Sequence, residues 1–391
     1  MHETALATTP NIVGTIFLAG GGSGGHIAPG IAIAEAIAEQ WPGIEPIFLC
    51  SNRPVDANML NHIGAKFAPL RATPPAARPD RALHFLLNHR HSKRAVQRMI
   101  RKLRNPNSQN HSAPIWMLSL GGFISVAPAA AARSEGIPLA LLNLDAVPGK
   151  ANRLIARQAD LVMTATPLLD PSAMPHQNTD YPVRRDAQSP GTRQECCKQL
   201  GLDPSRPVLL VTGASQGSQS LNQFMQLWIG SNANRLKDWQ VLHLTGKDEM
   251  PAPLEAVYAD AGITAHIETF AHQMGTFWGA ADVALSRAGA NSVGEAVYNH
   301  VPTLFAPYPF HRDQHQKHNA QPVVDAGGAL LAEDKVDPEA NCRSLGPQLA
   351  HLIDDAQARD QMSSVLAHLS SPDGATQVVR ALLDINTPHS P

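Results

Sequence analysis

"LAGGGSGGHIAPGIAIAEAIAEQ", residues 18–40, follows directly on the apolar run "IVGTIF" and decides the fold. Five of the six positions from Gly20 to Gly25 are glycine, and His26 and Pro29 come next. A short apolar strand, a glycine turn and a helix-length segment make the first half of a parallel strand–helix unit. Glycines there let backbone N–H groups converge, and the helix start adds partial positive charge, which suits phosphate or another anion. Gly20, Gly22 and Gly25 formally satisfy G-x-G-x-x-G, the dinucleotide fingerprint. That reading asks for an acid where the second strand ends, and this chain has "CSNRP" (50–54). The Walker reading fails as well, because no Gly-Lys-Ser/Thr follows.

Outward from this unit the alternation repeats. "TIFLA" (15–19), "EPIFLC" (45–50), "PIWMLSL" (114–120), "PLALLN" (138–143) and "DLVMTA" (160–165) read as strands. A polar, proline-bearing stretch "HQNTDYPVRRDAQSPGTRQE" (176–195) reads as a linker. Strands resume at "PVLLVTG" (207–213), "QVLHLTG" (240–246), "TAHIETF" (264–270), "DVALSRAG" (282–289) and "PTLFAPY" (302–308). The fold class expected is α/β, with two Rossmann-like domains at 12–185 and 193–370, then a C-terminal helix and tail at 371–391. Hydrophobic residues at 43% and charged residues at 16% exclude global disorder. A net charge of −2 leaves no global signal for a polyanion. Four cysteines, spaced for neither zinc nor a disulfide framework, suit a reducing compartment. The start "MHETALATTP" lacks a basic leader and no apolar run can span a bilayer, so a cytosolic or surface-attached protein is expected.

Three further loops stand where strands feed helices. In "GASQGSQSLN" (213–222), Ser215, Gln216 and Gly217 are small or polar enough to cradle phosphate, though an ordinary turn would look the same. In "SRAGANSVGEAV" (286–297) a helix starts near Ala290 or Asn291, with Glu295 about one turn in. That carboxylate can accept both hydroxyls of a ribose, or merely serve the helix dipole. "PYPFHRDQHQKHNA" (307–320) is dense in side chains able to bond sugar hydroxyls, and equally reads as a helix start capped by Asp313. Four such loops at strand ends favour a nucleotide-sugar cleft.

In this order and spacing, "GGGSGGHIAPGIAIA", "GASQGSQSLN", "SRAGANSVGEA" and "RDQHQKHNA" resemble the MurG glycosyltransferases, with "SLGGFISVAPAAAA" (119–132) and "YPVRRD" (181–186) in support. The resemblance runs from about 14 to 330. It implies the glycosyltransferase-B fold, with a last helix returning to the first domain. It also implies transfer of N-acetylglucosamine from UDP-GlcNAc to lipid I, forming lipid II. Ser215, Gly217, Ala290 and Asn291 would hold phosphate, Glu295 the ribose, the backbone near Phe270 and Ala271 the uracil, and His315 and Gln316 the GlcNAc hydroxyls. Arg184 would contact the nucleotide. The first domain would hold the acceptor, its diphosphate near Gly22, Ser23, Gly24 and Gly25, with Asp145 on the acceptor side. Inverting transfer needs a base, and an imidazole beside the loop is suited to it, which makes His26 the candidate. The same position would also let His26 orient the loop or cap the helix. No D-x-D occurs, so neither metal nor cofactor is expected.

The chain departs from the family at Leu142–Asp145, where "HEQN" is usual, at Tyr181, usually Asn, and at Ala28, usually aromatic. From the residues alone, another nucleotide-sugar transferase with a different acceptor, or an idle UDP-sugar-binding protein, remains open. Between 78 and 104 the chain carries nine Lys/Arg against Asp80, including Arg94, Arg98, Arg101 and Lys102. Leu83, Phe85, Leu86 and Leu87 precede most of them. Apolar anchors beside a basic helix suit an anionic membrane surface, and no nucleic-acid motif accompanies them. Peripheral attachment to the cytoplasmic face of the inner membrane is therefore expected, against a merely solvated basic helix.

Overall fold

Continuous apolar runs such as "TIFLA" and "VLLVT" form strands buried on both faces, and every strand pair described is parallel. The computed structural model describes residues 12–22, 25–71, 79–107, 111–213, 218–246, 252–310 and 312–385, without the side chains of 79–83. Two units emerge. The first takes in the chain up to Leu144, then Pro148–Pro182, and again from Asp373. The second comprises Asp145–Val147 and Val183–Pro372.

In chain order the first unit runs β1 (Gly14–Ala19), α1 (Ile27–Gln40), β2 (Ile44–Ser51), α2 (Pro54–His62) and β3 (Phe67–Leu70). It continues with α3 (Pro79–Leu103), β4 (Ile115–Ser119), α4 (Val126–Glu135), β5 (Leu139–Asn143), α5 (Lys150–Ala156), β6 (Leu161–Thr164) and β7 (Gln177–Asn178). The sheet order is β3-β2-β1-β4-β5-β6-β7. Its core joins Phe17, Leu49, Met117 and Leu141 to Val96 and Ile100 of α3. Helix α1 is apolar almost all round, and Gly30 lets it close on the sheet. A methyl there would fall 2.6 Å from Leu120 Cδ1 and 3.0 Å from Phe48 Cε1.

The second unit runs α6 (Arg193–Gln199), β8 (Val208–Thr212), α7 (Gln219–Leu236), β9 (Gln240–Leu244), α8 (Ala252–Asp260), β10 (Thr264–Glu268) and α9 (Met274–Ala280). Then come β11 (Val283–Ser286), α10 (Ala290–Tyr298), β12 (Thr303–Phe305), α11 (His315–Asp325) and β13 (Ala329–Leu331). Three helices close it: α12 (Pro338–Ser344), α13 (Gly346–Asp354) and α14 (Ala356–Leu369). The sheet order is β10-β9-β8-β11-β12-β13, over a core of Leu209, Phe224, Trp228, Val241, Leu285 and Leu349.

The last helix, α15 (Gly374–Leu383), belongs to the first unit. Gln40 Nε2 on α1 donates to Thr376 Oγ1 at 2.7 Å, and Gln377 Oε1 accepts from Asp180 N at 3.1 Å. Val378, Val379 and Leu382 are fully buried. The stretch 176–195, read as a linker, contains the boundary between the units at Pro182 and Val183 and also carries short structure. It holds β7, a 3₁₀ turn at Arg185–Ala187 and a capping box in which Thr192 and Glu195 open α6.

Candidate functional site

In an open parallel sheet, ligands bind where neighbouring strands send their connections opposite ways. In the first unit that point lies between β1 and β4. The loop after β1 is held from below: Gly20 N donates to Leu49 O at 3.1 Å. Gly22 N donates to both oxygens of Asp56, at 3.1 and 2.8 Å. Ser51 adds its backbone N–H at 3.0 Å and its hydroxyl at 2.6 Å to Asp56 Oδ2, while Arg53 Nη1 donates to Gly22 O at 2.6 Å. Asp56 is fully buried on the first turn of α2. The acid missing from the end of β2 thus arrives five residues later. It serves the loop, so it is not a ribose ligand. The amide of Gly22, expected near an acceptor diphosphate, donates to this carboxylate. Gly25 completes the described part of the loop just before His26; Ser23 and Gly24 lie outside the described residues.

The loop after β4 contributes Gly121 and Gly122, at φ +94° and +77°. A methyl group on Gly122 would come within 3.2 Å of His26 Cδ2 and 3.3 Å of its Nε2, so the imidazole lies against this second glycine pair. His26 is partly exposed and stands at the N-cap of α1, where its side chain makes no capping hydrogen bond. The capping alternative is thereby removed.

Asn152, unremarked in the sequence, accepts from Gly122 N at 3.3 Å and donates to Asn143 Oδ1 at 2.9 Å. Asn143 passes the relay to Thr164 Oγ1 at 3.2 Å. Leu142, Asn143 and Leu144 are all buried, so most of the departing segment is interior structure. Asp145 alone is partly exposed. It belongs to the second unit. Asn319 of α11 donates to it at 2.9 Å and accepts from Ala146 N at 2.8 Å.

In the second unit the corresponding point lies between β8 and β11. Ser215 and Gly217 lie outside the described residues. Ser218, next along, caps α7 by accepting from Leu221 N at 3.4 Å. Helix α10 opens at Ala290 and Asn291, presenting N–H groups at its first turn. Glu295 lies on its inner side: Trp278 Nε1 donates to Oε2 at 3.0 Å, and Arg184 Nη2 stands 4.0 Å from Oε1. Burial raises the Glu295 pKa, opposed by Arg184 and the Trp278 N–H. Arg184 also pairs with Asp186 at 2.8 Å.

Arg287, which the sequence reading passed over, is buried and joins four loops. It donates to Ser218 Oγ at 2.6 Å, Ser220 Oγ at 2.9 Å and Ala306 O at 2.9 Å, and pairs with buried Asp334 at 2.7 Å. Its only sequence signal was a charge inside an otherwise small-residue turn. Phe270 and Ala271 follow β10, Ala271 buried and Phe270 edge-on to His272. His315 and Gln316 open α11. His315 Nδ1 lies 2.8 Å from Asp313 Oδ1, and Gln316 Oε1 accepts from Tyr308 N at 2.8 Å. Within the second unit Arg184 is thus brought to Glu295, while His315, Gln316 and Asn319 all lie on α11. Among the described residues no group of His, Cys, Asp and Glu is placed to hold a metal.

On α3, Ser92, Val96 and Ile100 are buried, while Leu86 and Leu87 are 51% and 53% exposed. Phe85 is half-buried and stacks on His89; the side chain of Leu83 is outside the described residues. A groove of about 710 Å³ is lined by Arg71, Leu87, Arg90, Arg94, Arg98 and Arg101. Arg101 is also spoken for on α4: its Nη2 donates to Glu135 at 2.8 Å, and that pairing lowers the Glu135 pKa. Lys102 is exposed. No described helix is long and apolar enough to cross a membrane.

The model of the glycosyltransferase family 28 N-terminal domain matches residues 16–164, and that of the C-terminal domain matches 208–378. A Nocardioides protein named UDP-N-acetylglucosamine–N-acetylmuramyl-(pentapeptide) pyrophosphoryl-undecaprenol N-acetylglucosamine transferase is 31% identical, over 95% of this chain and 98% of its own. A Bifidobacterium longum protein of the same name is 31% identical over 88% of each chain. Among solved structures, a MurG of Acinetobacter baumannii superposes with a TM-score of 0.70 over 96% of this chain and all of its own, at 22% identity.

Proposed function

This chain belongs to the MurG family of family 28 glycosyltransferases, and from that premise we infer that it moves N-acetylglucosamine from UDP-GlcNAc to the muramyl sugar of lipid I, making lipid II. The observation that carries this reading is the near end-to-end match to a relative of that name.

The donor belongs on the second unit. Glu295, set by Trp278 and Arg184, receives the ribose hydroxyls. The first turn of α10 at Ala290 and Asn291, with Ser215 and Gly217, holds the diphosphate through backbone N–H groups. Phe270 and Ala271 meet the uracil, and His315 and Gln316 the sugar. The acceptor belongs on the first unit at the two glycine loops, its diphosphate assigned to Gly25 together with Ser23 and Gly24. His26 takes the proton from the attacking hydroxyl as that oxygen joins C1 of the sugar and UDP leaves from the opposite face. Oriented amides and the helix dipole stabilise the charge on departing UDP, so no metal or cofactor is needed.

Attachment to an anionic membrane surface runs through Leu86 and Leu87 with Arg94, Arg98 and Lys102. Exposed leucines flanking the cations favour lipid over nucleic acid. The face assigned is the cytoplasmic side of the inner membrane, where a lipid-linked acceptor and a soluble nucleotide sugar can meet.

The decisive experiment supplies labelled UDP-GlcNAc and a lipid I analogue, with chelator present. Labelled lipid product is expected. Tight UDP-GlcNAc binding without product would overturn the acceptor assignment, and product that vanishes with chelator would overturn the metal-free mechanism.

A further inference from the structure

A carboxylate taken wholly out of water needs a cation or several donors. Asp56 is 0% exposed and finds its donors in one place: Gly22 N, Ser51 N and Ser51 Oγ. Backbone N–H groups and a hydroxyl are the set with which a glycine loop holds a phosphate oxygen. Here a side chain of the protein fills it. The same peptide segment is gripped from the other side, where Arg53 Nη1 donates to Gly22 O at 2.6 Å. Gly21, at φ +151°, leaves no room for anything larger, since a methyl there would fall 2.3 Å from Asp56 Oδ2. Four residues beyond Gly22 the loop ends in His26, whose ring rests against Gly122.

We propose that Asp56, assisted by Ser51 and Arg53, is a positioning residue for sugar transfer, a built-in anion that pins the glycine loop at Gly22 and so sets where His26 meets the acceptor. Its kinetic consequences rest on the transferase reading, whereas the pinning of Gly22 stands on the loop geometry alone. Asp56 touches neither substrate. It acts through the loop, and it removes the Gly22 amide from those open to the acceptor diphosphate.

Asp56→Asn keeps the shape but offers one acceptor oxygen in place of two. The expected result is a loss of about a hundredfold in kcat, the scale of an ångström-sized misplacement of a catalytic group. The UDP-GlcNAc Kd measured by calorimetry stays unchanged, and Asp56→Glu recovers part of the rate. Amide hydrogen exchange over residues 18–26 rises. In a His26→Ala background, Asp56→Asn costs little more, because both changes disable one device. Losses that multiply in the double variant, or an affinity that falls with the rate, would overturn the proposal. Arg53→Ala, at an exposed position, repeats the kcat comparison should Asp56→Asn fail to fold. If the parent protein makes no product, the transferase reading falls, and the exchange measurement still decides the pinning: unchanged exchange in Asp56→Asn overturns it.

Discussion

At the scale of single residues, chemistry follows from who surrounds whom. His243 in β9 is fully buried, its Nε2 3.0 Å from Asn222 Oδ1, and burial drives its pKa down to about 3. It is fixed as a neutral structural imidazole. His26, by contrast, is partly exposed and lies against Gly122. Replacing His26 by Ala should lower kcat by about a hundredfold or more, the usual contribution of a general base. The UDP-GlcNAc KM should barely move, and near-normal turnover would remove His26 from the proton transfer. Glu295 titrates the other way. Its pKa is raised above 4.5, so acidification protonates it while an ordinary glutamate would still be charged. Only the ionised form accepts both ribose hydroxyls. UDP affinity should therefore fall as pH drops toward that raised pKa, a dependence that binding isotherms would show and Glu295→Gln would abolish.

Whole elements were easier to read than their partners. The ten apolar runs picked from the sequence are β1, β2, β4, β5, β6, β8, β9, β10, β11 and β12, each within a few residues. The strands that escaped are short edges: β3 with a proline inside it, two-residue β7, and three-residue β13. Such strands carry too few apolar residues to stand out from a loop. At the site, the glycine loops and the starts of α10 and α11 were legible because backbone chemistry is written locally. Asp56, Asn152 and Arg287 were not, since their partners lie 34, 30 and 69 positions away along the chain.

Helix α3 shows both sides. Its basic stripe was plain in the sequence, yet Arg101 proves to be tied to Glu135. The double change Leu86→Glu and Leu87→Glu should abolish flotation with vesicles containing anionic lipid. Turnover on a detergent-dispersed lipid I analogue should be retained. Binding that survives the double change would assign the leucines to solvent.

Across the whole molecule, the fold class followed from alternation repeated in both halves, and the return of α15 followed only from the family resemblance. Nothing in "GATQVVRALLDI" itself says which unit it closes. Each of Val378, Val379 and Leu382 buries a side chain worth about 1.5–3 kcal/mol. Ending the chain at Pro372 should therefore lower the unfolding midpoint of the first unit and spare that of the second, as calorimetry would resolve. A single shared shift would contradict this division.

That same closing helix has a consequence for synthesis. The segment Val183–Pro372 emerges from the ribosome almost complete and can settle once its last residues clear the exit tunnel. The unit translated first must wait. Its sheet is present early, but the face of α1 that α15 covers stays bare until the final residues arrive. The first unit is thus completed only after the second has been translated, because α15 follows Pro372 in the chain.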